Sequence, residues 1–558
     1  MNDADRIPIA PSLKQREVTV PPIPGAMINK RVFYLSLQAI FNALLIGVVA
    51  RVLVYLINFV TNLSFYGRVS FEEASPAGHH WGWFVVFVPI IGSVIVGIMA
   101  RYGSPAIRGH GIPEAMEKII LDESRIPPII AILKPLSAAI SIGTGGPFGA
   151  EGPIIATGGA LGSFSGQWMH ISSSERKIML AAGACAGMSA IFGSPLAAVL
   201  LAIELLLFEF SPRSIIPVAL ACITGAGMHI ALFGSTPVFA MPDIPVATNS
   251  GLLLYAALGI LIGVIASLVS KSVYAVEDLF EKLPIHWMWW PAIGAVAVGV
   301  VGYFAPFTMG VGYDNIQHLL TGNMALTMLL SLCLLKYISW VIALGSGTSG
   351  GTLAPLFTIG GALGALLGVG VLHFFPTAEI DVATCALIGM AAMFAGASRA
   401  VLTAIIFSLE TTGQHHGLQP LLAACIAAYF VSFFLMKGSI MTEKILRRGV
   451  RTPDAYTPDV LENAYVRDIF QPAPPRAAGD DMITIAAGAS IAQAAALMGQ
   501  HKVKELYVLE QPDHRVTLGT LSADAILAYY AAQQEKKNRY QSPMGTRKLI
   551  VRGRRVFY

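Results

Sequence analysis

The chain has 558 residues, of which 55% are hydrophobic and only 13% charged. A water-soluble domain carries roughly a quarter charged residues, so an ordinary soluble enzyme is excluded, and a net charge of +4 is too small to suggest nucleic acid. The deficit is local: the 410 positions from 33 to 442 hold 33 of the 70 charged residues, whereas residues 1–32 and 443–558 are charge-rich.

Residues 1–32 are polar and proline-bearing, which predicts a cytoplasmic N-terminal segment and no cleavable signal peptide. Apolar segments follow near 33–61, 82–100, 127–142, 178–208, 215–234, 251–270, 287–304, 324–345, 354–374, 383–409 and 419–436. Several are shorter than the roughly 20 residues that a full span needs. Others are cut by some of the 55 glycines and 33 prolines. Interrupted helices survive in a bilayer only where protein or a wet cavity satisfies the freed backbone groups. The expectation is an all-α polytopic membrane protein that mixes full spans with broken, re-entrant helices. Lys30 and Arg31 precede the first span, and Lys444, Arg447, Arg448 and Arg451 follow the last, which predicts cytoplasmic termini and an even number of crossings. Cys185, Cys222, Cys333, Cys385 and Cys425 all lie in apolar stretches without C-x-x-C spacing, as core fillers do.

After a linker at 443–465 the texture changes. Residues 466–530 read as strand (Met482–Ile485), helix (Ile491–Met498), strand (Glu505–Glu510), turn (512–515), then strand and helix (516–530), a small α/β domain. The basic stretch 531–558 is expected to be an irregular tail.

The apolar region contains a diverged internal copy. Gly143, Gly145, Gly149 and Pro153 recur as Gly345, Gly347, Gly351 and Pro355, about 202 residues on, and a G-G-A-L-G run recurs with them. Leu196–Glu204 is likewise echoed by Leu402–Glu410. Two halves, about 33–235 and 250–442, with an odd number of crossings each would be inverted relative to one another, a plan common among transporters.

Three glycine-bearing loops lead into helices with proline in the first turn: Gly109-His110-Gly111-Ile112-Pro113, Gly149-Ala150-Glu151-Gly152-Pro153 and Gly350-Gly351-Thr352-Leu353-Ala354-Pro355. A helix start offers free N–H donors and the positive end of a dipole, so its natural guest is an anion. Stripping water from a small ion costs on the order of 20 kcal/mol, whereas one helix end returns about 0.3–2 kcal/mol. Several ends must therefore converge, together with side-chain donors. Glu151 stands between glycines at one of these starts. A carboxylate there would compete with the anion and leave when protonated, acting as gate and proton carrier. Glu204 and Glu410 end apolar helices and suit helix-end roles as well as proton handling.

Two rival readings attach to the third loop. Gly347-Thr348-Ser349-Gly350 fits the G-x-S-G pattern of rhomboid-type intramembrane proteases, with Ser349 as nucleophile and a histidine base. The same stretch satisfies G-x-G-x-x-G, but no acid follows about 20 residues on, as a dinucleotide site requires.

Over about residues 33–450 these loops resemble, in order and spacing, the G-S-G-I-P, G-[KR]-E-G-P and G-x-F-x-P signatures of the CLC family of chloride channels and chloride/proton exchangers. Lys134, seventeen residues before Glu151, matches a lysine usual in that family. The resemblance implies a homodimer with one pore per subunit, Glu151 as external gate, and an anion site among His110, Gly111, Ile112, Gly152, Thr352, Leu353 and Met441. Chloride or a similar anion would be the transported ligand, with protons and membrane lipid as partners and no cofactor. Residues 466–530 resemble a single CBS module, where a pair is usual and nucleotide binding would need one.

This chain departs from the family pattern at four positions. His110 replaces a pore serine, Leu353 a phenylalanine, Met441 a pore tyrosine and Leu205 the inner proton-transfer glutamate. These changes favour channel-like conduction of anions. The alternative is a chloride/proton exchanger whose inner proton path runs through Glu204 or Glu209. An intramembrane serine hydrolase using Ser349 is the alternative of a different class.

Overall fold

The computed structural model describes residues 30–450, 461, 464–477, 482–510 and 516–541. Most of the N-terminal segment, much of the linker, the turn at 512–515 and the tail beyond 541 lie outside the described residues. The chain divides into a membrane unit, 28–454, and a second unit that holds residues 455–558.

The membrane unit is helical throughout and runs twice through one order of eight helices. The first half comprises α1 (Lys30–Thr61), α2 (Phe87–Tyr102), α3 (Ile112–Leu121), α4 (Ile130–Gly143), α5 (Glu151–Trp168), α6 (Ser173–Phe192), α7 (Pro195–Leu201) and α8 (Pro212–Phe233). The second half repeats it as α9 (Asn249–Glu281), α10 (Trp290–Phe304), α11 (Tyr313–Leu320), α12 (Leu326–Gly345), α13 (Leu353–Phe374), α14 (Val382–Ser398), α15 (Val401–Thr412) and α16 (Leu418–Leu435). A short α17 (Glu443–Arg447) closes the unit. Eight helices among the described residues are long and apolar enough to span a bilayer, and the shorter ones supply the broken, re-entrant elements. The molecule is a multi-pass membrane protein built from two inverted repeats.

Two apolar segments read from sequence as continuous, 178–208 and 383–409, are each broken. Gly193 adopts a left-handed conformation and Pro195 opens α7, which then continues as a π-helical turn over Ala202–Leu207. The matching break falls at Arg399, also left-handed, whose guanidinium donates to the Met436 and Ser432 carbonyls at 2.5 and 3.3 Å. Polar bonding there does what glycine does in the first half.

Small residues set the packing. A Cβ on Gly158 of α5 would lie 2.3 Å from the Gly183 carbonyl of α6, and one on Gly360 of α13 would lie 2.5 Å from the Gly389 carbonyl of α14. In lipid, helices associate through such close approach because apolar burial gives no net drive. Four of the five cysteines are buried and all are free, as core packing requires. Large apolar side chains on α8, α9 and α16, such as Ile223, Leu253 and Phe434, are exposed.

The C-terminal unit is a four-stranded sheet in the order β1-β4-β3-β2: β1 (Gln471–Ala477), β2 (Thr484–Ala486), β3 (Glu505–Leu509) and β4 (Val516–Ser522). β2 and β3 pair in parallel across α18 (Ile491–His501), and the other pairings are antiparallel. Ser490 and Gln493 bond reciprocally at the start of α18, a capping box that fixes where it begins. Two features differ from the sequence expectation. β1, proline-rich, is not among the expected strands, yet an edge strand tolerates the missing donors. The last helix, α19 (Ala523–Gln541), continues into what was expected to be irregular tail.

Candidate functional site

The starts of α3, α5 and α13 are tied together by backbone bonds between their preceding loops. Gly109 N–H donates to the Thr348 carbonyl (2.9 Å), and Gly350 N–H donates to the Gly109 carbonyl (3.4 Å). Gly149 and Gly351 exchange both N–H···O bonds, at 3.4 and 3.1 Å. A Cβ on Gly111 would sit 2.2 Å from the Gly152 carbonyl, and one on Gly152 would sit 2.1 Å from that of His110. Only glycine allows this approach, and Gly111 also has φ +95°. Three helix starts, whose first-turn N–H groups have no partner within their own helices, are therefore brought together in one place.

A fourth loop joins them. Gly310 N–H donates to the Gly145 carbonyl at 3.1 Å, and this Gly310-Val311-Gly312 loop leads into α11 as Gly109-His110-Gly111 leads into α3. The first and fourth of these loops are each held by a buried lysine from the second helix after it, α4 or α12. The Lys134 ammonium donates to the Ile107 and Gly109 carbonyls, both at 2.8 Å, and the Lys336 ammonium donates to the Gly310 carbonyl at 3.1 Å. Both lysines have at most 1% exposure, so one amine-bearing side chain per repeat is buried against its loop.

Glu151 is fully buried, and its carboxylate folds back along Gly149. Oε1 accepts from the Tyr313 hydroxyl at 2.9 Å, while the Ala354 N–H and the Lys336 ammonium face the same carboxylate. A carboxyl side chain thus lies against the start of α13. Around it, Glu151 Oε2, His110 Nδ1, Thr348 Oγ1 and Thr352 Oγ1 are buried with no hydrogen-bond partner among the described residues. Each such atom costs about 1–3 kcal/mol. Four on adjoining loops mark a place built to receive a polar guest.

Residues 91–433 match the family described as voltage gated chloride channel. The chain belongs to this CLC family. Its relatives include the H(+)/Cl(-) exchange transporter ClcA of Yersinia pestis, 31% identical over 364 residues that cover 63% of this chain and 74% of the relative. The Salmonella typhimurium protein of the same name is 30% identical over 400 residues, covering 68% and 82%. Among solved structures, a slow cyanobacterial Cl-/H+ antiporter covers 74% of this chain and 98% of its own, with TM-score 0.65 and 23% identity. A eukaryotic CLC transporter covers 88% and 99%, with TM-score 0.61 and 20% identity. As a CLC protein the chain is an anion-transport protein of the membrane and not an enzyme.

The CLC fold brings together His110, Gly111, Ile112, Gly152, Thr352 and Leu353 with Glu151. Gly111 contributes conformation and space rather than a donor, because its N–H is bound by Glu114 Oε2 at 2.6 Å. Met441 is fully buried in the turn after α16. That turn is fixed by Ile440 N–H to the Ala397 carbonyl (2.9 Å) and by the Tyr274 hydroxyl to the Ile440 carbonyl (2.6 Å). Glu209 lies apart, 3.7 Å from the Lys177 ammonium.

Glu204 and Glu410 form a reciprocal pair. Glu204 accepts from Leu402 N–H (3.0 Å), Thr403 N–H (2.9 Å) and the Thr403 hydroxyl (2.7 Å) at the start of α15. Glu410 accepts from Leu196 N–H (3.0 Å) and Ala197 N–H (2.9 Å) at the start of α7. Each carboxylate caps the other repeat's helix.

The hydrolase alternative is overturned. The buried Ser349 hydroxyl accepts from the Ser137 hydroxyl at 3.0 Å, and no hydrogen bond joins it to a histidine among the described residues. Sequence reasoning missed Tyr313 and Lys336; the repeat offset that relates Lys134 to Lys336 could have signalled the lysine, but not the contact of Tyr313 with Glu151.

Proposed function

We propose that the protein exchanges chloride for protons across the membrane, with Glu151 serving as both anion gate and proton carrier. The observation that carries this reading is the buried Glu151 carboxylate lying among the joined helix starts, where an anion would otherwise bind. When charged it occupies the place of the anion; when protonated it loses that competition and leaves with its proton. The exchanger names of the relatives from Yersinia pestis and Salmonella typhimurium favour coupling over the channel-like conduction that the sequence departures suggested. Channel-like conduction is the second reading, supported by apolar Leu205 and Met441 at positions where proton and gate chemistry are usual.

The inner proton route in this proposal enters past Glu209 and reaches Glu204. The protein acts as a homodimer, each subunit with its own pathway, through the exposed apolar faces of α7, α8, α15 and α16 around Leu196, Ile223, Leu402 and Ile426. Both termini are cytoplasmic, and the C-terminal β-α-β-β-α run is a CBS-type regulatory module.

The deciding experiment is a reversal-potential measurement in liposomes under opposed chloride and proton gradients. A reversal potential that shifts with the pH gradient at fixed stoichiometry is expected. Purely Nernstian chloride behaviour would remove the exchanger reading and leave the channel. A second measurement bears on selectivity. His110 is 2% exposed with Nδ1 unpartnered beside the site, so His110→Ser is expected to reorder competition among chloride, bromide, nitrate and fluoride. Superimposable competition profiles would make the histidine a packing residue only.

A further inference from the structure

The structure assigns Tyr313 as the positioning residue that latches the Glu151 carboxylate in its docked place. This rests on the reading of Glu151 as the gate and names what holds that gate shut. The Tyr313 hydroxyl is the one side-chain donor bonded to Glu151 among the described residues, at 2.9 Å. The tyrosine opens α11, and Gly312, with φ +75°, turns the chain so that its side chain reaches across to α5. The ring has little freedom: Phe192 packs edge-on with centroids 5.9 Å apart, and Phe239 does so at 5.7 Å. Phe192 packs in turn on Phe407 at 4.9 Å, and Phe407 stacks on Phe357 of α13 at 5.0 Å. The donor is therefore held by an aromatic wall drawn from both repeats rather than by a mobile side chain.

Tyr313 is half-buried, whereas the carboxylate that it binds is fully buried. The opposite flank of the site, by His110 and Glu114, faces Lys444 beyond the Met441 turn. The latch thus belongs to the Glu151 end of the pathway. While charged, the docked carboxylate is held by a charge-assisted hydrogen bond, among the stronger kinds. The bonded oxygen is Oε1; Oε2 has no such partner, so no second side chain duplicates the latch.

The test is chloride efflux from liposomes that hold the full-length protein as wild type, Tyr313→Phe, Glu151→Ala or the double variant. Phenylalanine keeps the ring in its wall and removes only the donor. Efflux is expected to run roughly ten- to a hundredfold faster in Tyr313→Phe, the scale of one hydrogen bond to a charged group. Tyr313→Met, which also lacks the hydroxyl, is expected to be faster in the same direction and covers a failure of the first variant to fold. The double variant is expected to match Glu151→Ala, because the latch acts only through the carboxylate. Wild-type rates in Tyr313→Phe, with Glu151→Ala altered, would overturn the latch and leave the gate standing. Multiplying effects in the double variant would also overturn it, by showing that Tyr313 acts through packing. An unaltered Glu151→Ala would remove the gate reading and the latch with it.

Discussion

Glu151→Gln is expected to abolish proton transport while chloride transport continues and becomes independent of pH. Glutamine keeps the shape of the side chain but carries neither charge nor exchangeable acid. In the wild type the charged carboxylate competes with the anion for the joined starts of α5 and α13, so chloride flux rises as the pH falls and the carboxylate is protonated. The variant has no such competitor at any pH. Its chloride flux at neutral pH should exceed that of the wild type about tenfold for each 1.4 kcal/mol by which the carboxylate outcompeted the anion. Simultaneous chloride- and pH-electrode recordings on liposomes measure both fluxes. Persistent proton movement at the wild-type ratio would place the proton carrier elsewhere, and an unchanged pH response of chloride flux would remove the gate.

The electrostatic design explains why two glycine-rich repeats suffice for an anion in a membrane. Each helix start contributes about half a unit of positive charge, and three of them cannot match a dehydration cost on the order of 20 kcal/mol. Lys134 and Lys336 add amine donors from buried positions, each anchored to the carbonyl of the first glycine of its loop. That bond also explains how a lysine is accommodated at 0–1% exposure: its amine donates to backbone oxygens of the glycine loops. The glycines and lysines therefore form one device, repeated with inverted sense.

Much of this was legible in the sequence. Proline after a glycine loop marks a helix start, so the beginnings of α3, α5 and α13 and the singular position of Glu151 followed from local chemistry. The repeat was visible because its glycines carry packing constraints that substitution cannot meet, as Gly149 and Gly351 show at 3.1–3.4 Å. What escaped was non-local. Tyr313 is one tyrosine among 17, and only folding brings it to a carboxylate 162 positions away. Lys336 sits in an apolar helix where no local pattern announces its carbonyl partner. The prolines of β1 argue against a strand until its edge position is known. The break at Arg399 looks like helix in sequence because its cause, the carbonyls at the end of α16, is remote.

The pairing of Glu204 with Glu410 supplies an internal control for the inner proton path. The two carboxylates are repeat-mates with the same structural duty, each binding two backbone N–H groups at the other's helix start. Replacing either by glutamine keeps one acceptor oxygen and loses the charge and the other acceptor, at a cost of about 1–3 kcal/mol. Both variants should therefore inactivate at a temperature lower by a few degrees, and to a similar extent. Proton transport separates them. The proposed inner route gives Glu204 a second duty that Glu410 lacks, since Leu205 cannot carry a proton. Glu204→Gln is expected to lose most proton flux while retaining chloride flux, and Glu410→Gln to retain both in the same proportion as the wild type. Equal stability losses with equal, unaltered coupling ratios would make both carboxylates caps alone and move the inner route away from Glu204.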